Sequence, residues 1–420
     1  MFDVGTLEQL AEITMGQSPK GSTVSNEIGT PLLNGPTEFG INHPHPVQFT
    51  IDPKRLAKKG DLLFCVRGST GRMNWADQDY AIGRGIASIR EKNPETLHFI
   101  KGAIQINLER LTDAAIGSVI TGIKKEDLFK FECPIPDKKQ IVQISKFLKN
   151  FYQKIENNQQ MNIKLEEIAK AVFKSWFLDF DPVKAKIDKS VTGLSKEISD
   201  LFPDSLITTE LGEIPKGWEI KKIKDLGKVI CGKTPPTKDK ENYGEGFKFI
   251  TIPDMHNQVF VLDSSKNITE KGAATLEGKL LPSKTICVSC IATPGLTVII
   301  DEPSYTNQQI NSIIPNETFL SYFLFLNFRL LGSKISIYGG GGSVFENLSK
   351  SKFENILVKI PDQKVLKSFD EFLTPVFDKI KVNLKENKLL ENILDTLLPK
   401  LISGKLKISD AKTIVEKIKI

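Results

Sequence analysis

Two stretches of the chain carry apolar side chains at alternating steps of three and four. The first runs Ile141, Ile144, Leu148, Phe151, Ile155, Leu165, Ala169, Val172, Trp176. The second, at an offset of 225, runs Leu366, Phe369, Leu373, Val376, Ile380, Leu390, Leu394, Leu397, Leu401. This spacing predicts two amphipathic helices with a heptad seam. Each spans about 40 residues, or ~60 Å at 1.5 Å per residue. Both seams turn polar in the middle, at Asn158 and Asn162 and at Asn383 and Asn387. A buried seam asparagine costs stability but fixes register, because it needs a polar group opposite it. Central placement suits antiparallel packing, since only midpoints stay opposed when one helix is reversed. The pattern therefore predicts helices at about 138–178 and 363–403 packed antiparallel, Asn158 and Asn162 facing Asn387 and Asn383 near a pseudo-twofold axis.

Ahead of each helix the periodicity changes. Short β-like runs at 61–66, 85–90, 248–252 and 285–291 sit between clusters of Gly, Pro, Asn and Asp, which predicts α+β globules. The two globules repeat each other. Phe2-Asp-Val-x-x-Leu7 matches Trp218-Glu-Ile-x-x-Ile223, and Leu10-Ala-Glu-Ile-Thr-Met-Gly-Gln-Ser-Pro19 matches Leu226-Gly-Lys-Val-Ile-Cys-Gly-Lys-Thr-Pro235, at an offset of 216. Later the offset is 225: Ser118-Val119 matches Ser343-Val344, Leu128 matches Phe353, and Ile135-Pro136-Asp137 matches Ile360-Pro361-Asp362. The expected fold is a tandem duplication. A mixed α/β globule (1–137) leads into a long helix and linker (138–205). A second globule (206–361) leads into a second helix and tail (362–420).

A chain of 420 residues, 40% hydrophobic and 26% charged, is large enough for two or three buried cores. No run approaches the ~18 apolar residues of a membrane span, and Met1-Phe2-Asp3 begins unlike a signal peptide. The expected location is cytoplasmic, away from membranes. Five scattered cysteines (Cys65, Cys133, Cys231, Cys287, Cys290) argue for free thiols in a reducing compartment. The net charge of +6 divides as −2 over residues 1–137, +3 over 138–205, +2 over 206–361 and +3 over 362–420. Charge alone leaves nucleic-acid binding open, because a domain of net −2 holds phosphates only with its cations gathered on one face.

Catalytic signatures are weak. Thr234-Pro-Pro-Thr237 lacks the asparagine and the aromatic that hold a flipped adenine, and neither a glycine-rich methyl-donor loop nor a Walker sequence occurs. Pro253-Asp254 with Glu277-Gly-Lys279 fits the outline of a metal nuclease, a pattern short enough to recur by chance. Cys287-Val-Ser-Cys290 has no second pair and reads as buried structural thiols. Among the histidines His43, His45, His98 and His256, only His43-Pro-His45 has close spacing, and it reads as an exposed turn. A non-catalytic chain that itself binds no metal or cofactor is expected.

Globule, long helix, globule, long helix is the layout of type I restriction-modification specificity subunits, and the chain resembles that family from end to end. Gly212-Glu-Ile-Pro-Lys-Gly-Trp218 is similar to the start of the family's second target-recognition domain. Phe173-Lys-Ser-Trp-Phe-Leu-Asp-Phe-Asp-Pro-Val183 is similar to its central segment, and Leu397-Leu-Pro-Lys-Leu-Ile-Ser-Gly-Lys405 to the end of its distal helix. The chain departs from the pattern at Phe2, which has no Pro-x-Gly-Trp leader before it. The resemblance implies a double-stranded DNA-binding subunit that reads a bipartite target and docks two modification subunits. Those methylate adenine from S-adenosylmethionine, and two restriction subunits can join for cleavage with ATP and Mg. Two other readings fit the duplication: a protein-binding coiled-coil adaptor without DNA specificity, and the recognition module of a related fused or stand-alone modification system.

Base reading favours Arg on guanine and Asn or Gln on adenine, positioned by Lys, Ser and Thr on the backbone. Six of the seven arginines lie in the first globule, and Arg67, Arg72, Arg84 and Arg90 cluster around the turn Arg67-Gly-Ser-Thr-Gly71-Arg72. The second globule has only Arg329, and offers Asn307, Gln308 and Gln309 with Lys233, Thr234 and Lys238. The duplicated loops Gly16-Gln-Ser-Pro19 and Gly232-Lys-Thr-Pro235 place amides and hydroxyls for phosphate. The candidate contacts are thus Gln17, Ser18, Lys20, Arg67, Arg72 and Arg84 in one half and Lys233, Thr234, Lys238, Asn307, Gln308 and Gln309 in the other. Gly339 to Gly342 would let backbone approach the duplex closely.

Overall fold

Phe2-Asp-Val and Trp218-Glu-Ile each lead into a short strand closed by the strand that precedes a long helix. Asp3–Thr6 pairs antiparallel with Glu132–Ile135, and Glu219–Lys222 pairs antiparallel with Leu357–Ile360. The structure, a computed structural model, describes residues 2–116, 122–210, 212–337 and 348–418. The match of Ser118-Val119 to Ser343-Val344 and the run Gly339 to Gly342 lie outside the described residues. The chain divides into two compact units, residues 1–158 with 386–420 and residues 159–385. Each unit contains one globule, half of one long helix and half of the other.

In the first unit an antiparallel sheet runs in the order Ala11–Met15, Ile86–Glu91, Leu62–Cys65, Met73–Trp75. A second sheet of five short strands holds one parallel pair, Thr30–Leu33 beside Tyr80–Ile82. Leu62, Phe64, Ala87 and Ile89 share a core with Phe99, Ile100 and Ile104 of the helix Leu97–Gln105. That core also contains the seam residues Ile144, Leu148, Phe151, Leu394, Leu397 and Leu401. The helix halves therefore complete the globule's interior. Burial of each such side chain contributes about 1.5–3 kcal/mol. The C-terminal helix Ile408–Ile418 joins the same core through Ala411.

The second unit repeats the plan. Its five-stranded sheet starts with Gly227–Cys231, Ile310–Pro315, Ile286–Ser289 and Thr297–Ile300, and Tyr243–Ile250 lies parallel to Ser304–Thr306. Its interior is aromatic. Phe177 packs 4.7 Å from Phe369, 5.1 Å from Phe323 and 5.9 Å from Trp218, and Phe180 lies 5.4 Å from Trp218. The strings around Phe173 and Trp218 are accordingly packing elements that seat helix ends against the sheet.

The long helices span Lys138–Lys174 and Gln363–Ile402. The first ends short of the predicted 178, through one wider turn at Ser175–Asp179, after which Phe180 turns into the left-handed region and Pro182 follows. In the first unit Asn158 Nδ2 donates to Asn387 Oδ1 (2.8 Å) and to Glu386 Oε2 (2.8 Å), and Asn387 Nδ2 reaches the Ile155 carbonyl at 3.3 Å. In the second unit Asn383 Nδ2 donates to Asn162 Oδ1 at 2.8 Å, and farther along Trp176 packs on Phe369. Rising numbers on one helix meet falling numbers on the other, so the helices are antiparallel and the asparagines pair as their spacing predicts. Among the described residues no helix is long and apolar enough to cross a membrane.

Candidate nucleic-acid interface

In both units the first strand of the main sheet ends at a glycine that must pass very close to the opposing chain. A Cβ on Gly16 would lie 2.1 Å from the Gly83 carbonyl oxygen, and one on Gly232 would lie 2.1 Å from that of Asn307. The duplicated glycines are therefore required by close approach, which turn formation alone does not demand. The following amides are bonded in the same way. Gly16 and Gln17 donate to the carbonyls of Ile86 and Ile82, as Gly232 and Lys233 donate to those of Ile310 and Thr306.

These bonds clamp a tight three-residue turn: Gly83-Arg84-Gly85 in the first unit, Asn307-Gln308-Gln309 in the second. The same carbonyls are used in each. Val66 N donates to Gly85 O as Cys290 N donates to Gln309 O, and Ile86 N to Gly83 O as Ile310 N to Asn307 O. Arg84 and Gln308 therefore occupy equivalent positions at an offset of 224. In the first turn a Cβ on Gly83 would lie 2.8 Å from Asn34 Oδ1 and one on Gly85 2.4 Å from the Asn34 carbonyl oxygen, so both flanking positions stay glycine and Arg84 is the turn's only side chain. In the second, Asn307 Nδ2 donates to Gln309 Oε1 and Gln309 N to Asn307 Oδ1, which leaves these two residues holding the turn. Gln308 stands exposed, its Oε1 accepting from Thr234 Oγ1 at 2.6 Å. One scaffold thus presents a guanidinium in one unit and a carboxamide in the other, two groups suited to different base edges.

Comparison with known proteins matches this duplicated layout. The family profile "Type I restriction modification DNA specificity domain" covers residues 1–167 and again 215–392. The chain belongs to that family. The HindI specificity subunit of Haemophilus influenzae is 35% identical over 84% of this chain and 88% of its own. The MjaIX specificity subunit of Methanocaldococcus jannaschii is 29% identical over 85% of this chain and 80% of its own. A crystal structure of the type I S subunit from M. genitalium shares the fold, with a TM-score of 0.58, 18% identity and 96% of each chain covered. The protein is thus a non-catalytic specificity subunit, the component for sequence-specific DNA recognition that works with DNA and the other subunits of its complex.

The other candidate residues of this specificity subunit are placed unevenly. Gln17, Lys20, Arg67, Lys233 and Lys238 are exposed and Ser18 is half-buried. Arg72 is committed within the globule, donating to the carbonyls of Pro36 and Phe39, each at 3.0 Å. Arg90 grips the buried Asp61 with two nitrogens (2.8 and 2.9 Å). Arg329 pairs with Glu166 of the first long helix and donates to the Gln258 carbonyl (2.6 Å), an anchor inside the second unit. Sequence reasoning passed over Lys124 and Lys125, which face Arg67 and Arg84 across a cavity. It also passed over Tyr243, Lys266 and Asn267, which with Thr234 and Asn307 line a 680 Å³ cavity in the second unit. No sequence signal marks them, because the strands that gather them pair residues far apart in the chain.

The weaker motifs resolve as structure. Cys287 is fully buried, burial pushes its thiol up to about 12, and Cys290 is buried beside it. Asp254 caps its own helix through Thr251, and Lys279 Nζ donates to the Cys231 carbonyl (3.0 Å), so the nuclease-like pair is used locally. The reading of His43-Pro-His45 as an exposed turn is corrected. His43 is only 31% exposed, with Nε2 2.8 Å from Glu156 on the first long helix and Nδ1 2.9 Å from the Trp75 carbonyl. The helix supplies the carboxylate that draws the ring inward. Among the described residues no group of three or more His, Cys, Asp or Glu is placed to hold a metal.

Proposed function

We propose that each globule reads one half of a bipartite, asymmetric target in double-stranded DNA, with Arg84 and Gln308 as the central readers of the two halves. Gln17, Ser18, Lys20 and Arg67 flank the first and Lys233, Thr234 and Lys238 the second. The observation that carries this reading is the pair of turns bonded alike but bearing different side chains. Evolution of a specificity change needs that combination: constant geometry and exchangeable readers. The paired helices set the distance between half-sites and dock two modification subunits, joined in some assemblies by two restriction subunits. The chain itself binds no cofactor; S-adenosylmethionine, ATP and Mg act on the partner subunits, and the complex works in the cytoplasm.

The test is the assembled modification complex carrying Arg84→Gln. The expected result is a change or relaxation at one half-site, at a cost of about 1–3 kcal/mol for one lost bidentate contact, with the other half unchanged. An unaltered target would remove Arg84 from the interface. Absence of salt-dependent duplex binding by the wild-type complex would favour a protein-binding adaptor, since phosphate neutralisation releases counterions and protein docking does not.

A further inference from the structure

Beside the Arg84 turn, the first globule has a 300 Å³ cavity walled by Met15, Gly16, Val66, Gly122 and four cations: Arg67, Arg84, Lys124 and Lys125. The cations come from three elements: the loop after strand Leu62–Cys65, the Gly83-Arg84-Gly85 turn, and the start of the short helix Lys125–Phe129. Among the described residues, the side chains of Arg67, Arg84 and Lys124 have no acidic or carbonyl partner. Lys125 lies over the Phe129 ring at 4.7 Å. The acids of the same segment, Glu126 and Asp127, line a separate cavity with Arg110 and Lys130. Gly122 has a specific part: a Cβ there would lie 3.0 Å from Arg67 Cγ and 3.4 Å from its Nε, so the arginine stem rests on the bare glycine.

Four converging cations without an anion repel one another, and every polar group they offer is a donor. The complementary ligand is an acceptor-only anion. A guanine edge in the major groove offers two acceptors but no net charge, whereas a backbone phosphate is an anion that accepts only, and four gathered cations call for the charge. Resting on the DNA-reading role above, we propose that this cavity seats one backbone phosphate of the first half-site and thereby sets the depth at which Arg84 meets the bases. Among the described residues the second globule lacks the device. Equivalence of Val66 with Cys290 and of Lys125–Phe129 with Lys350–Glu354 puts Ile291, Gln308, Ser349 and Lys350 at the four positions, and Lys350 is paired with Glu354 at 3.4 Å. The two half-sites are therefore held with unequal electrostatic character.

The experiment uses the full chain assembled with its modification subunits and 30-base-pair duplexes (~100 Å at 3.4 Å per step) bearing the motif mapped from methylated host DNA. One duplex keeps only the first half-site and another only the second; binding is followed by anisotropy from low to physiological salt. Arg67→Gln with Lys124→Gln should lower the log–log salt slope on the first-half duplex by about 0.9, one phosphate's share, and leave the second-half duplex unchanged. Lys59→Gln, exposed on the same globule outside the cavity, should change neither. The reverse arm, Ile291→Arg with Ser349→Lys, should steepen the slope on the second-half duplex. In the wild type, a neutral methylphosphonate moved through the first half-site should weaken binding at one position, and the Arg67→Gln, Lys124→Gln complex should be insensitive there. Equal slopes for variant and wild type, or an equal fall on both duplexes, would overturn the phosphate seat while leaving DNA reading intact. Failure of the wild type to bind any duplex would overturn both.

Discussion

The asparagine pair of the second unit offers a sharp energetic test, because its two members are not equally satisfied. Asn383 is fully buried, donates to Asn162 Oδ1 at 2.8 Å, and its own Oδ1 has no partner; Asn162 is 6% exposed. Asn162→Ala strands a whole carboxamide in an apolar seam, with donor and acceptor both unpaired. An orphaned buried polar group costs about 1–3 kcal/mol, so a loss of ~2–3 kcal/mol is expected. Asn383→Ala removes the orphaned acceptor together with the donor, and Asn162 sits nearer water, so ~1–2 kcal/mol is expected by the same reasoning. The more buried side chain is thus the cheaper one to delete. The double variant should cost less than the sum by about 1–2 kcal/mol, the coupling of groups that share one bond. Trp176 and Trp218 both belong to the second unit, so urea unfolding followed by fluorescence in a Trp75→Phe background reports that unit. Additive costs, or a larger loss for Asn383→Ala than for Asn162→Ala, would refute the argument.

Three further outcomes follow from other contacts. Gly16→Ala and Gly232→Ala each force a Cβ to 2.1 Å from a carbonyl oxygen, and each should abolish recognition of its own half-site only, as read by methylation mapping. Arg329→Met leaves Glu166 and the Gln258 carbonyl without their donor and should destabilise the second unit by roughly 2–4 kcal/mol in urea titrations. Burial, with help from Lys101 and Lys149, lowers the His98 pKa to about 4 from its ordinary 6.5. A neutral His98 is thus favoured in the folded state. Its contribution is fully present above pH 6.5 and is lost as pH falls toward 4. His98→Phe should therefore gain stability relative to wild type between pH 7 and pH 5 in thermal melts of the chain, and a pH-independent difference would contradict the assignment.

The duplication, the two helices and their asparagine pairing were legible in the sequence because each is a local pattern: a heptad is read within a few turns, and a repeat by superposing the chain on itself. The shared interior of helix and globule was not, since it depends on Leu148 and Leu398 reaching Gly102 from distant segments. Nor was the equivalence of Arg84 with Gln308. It lies at an offset of 224, between the 216 and 225 seen in the sequence, and only the strand register reveals it. Arg72 and Arg67 look alike as neighbours of one glycine-rich turn, yet one guanidinium donates to two carbonyls of its own globule and the other faces a cavity. Residue type indicated the chemistry available; the fold decided which groups remained unengaged.

The central claim is that one duplicated scaffold reads two independent half-sites. The most direct measurement is methylation-sensitive sequencing of host DNA after residues 1–137 are replaced by those of a homologue, with the helices and the second globule unchanged. The account predicts a new methylated motif in which one half-site differs while the other half and the spacing stay the same. A motif altered in both halves, or one whose spacing changes with the globule, would contradict it.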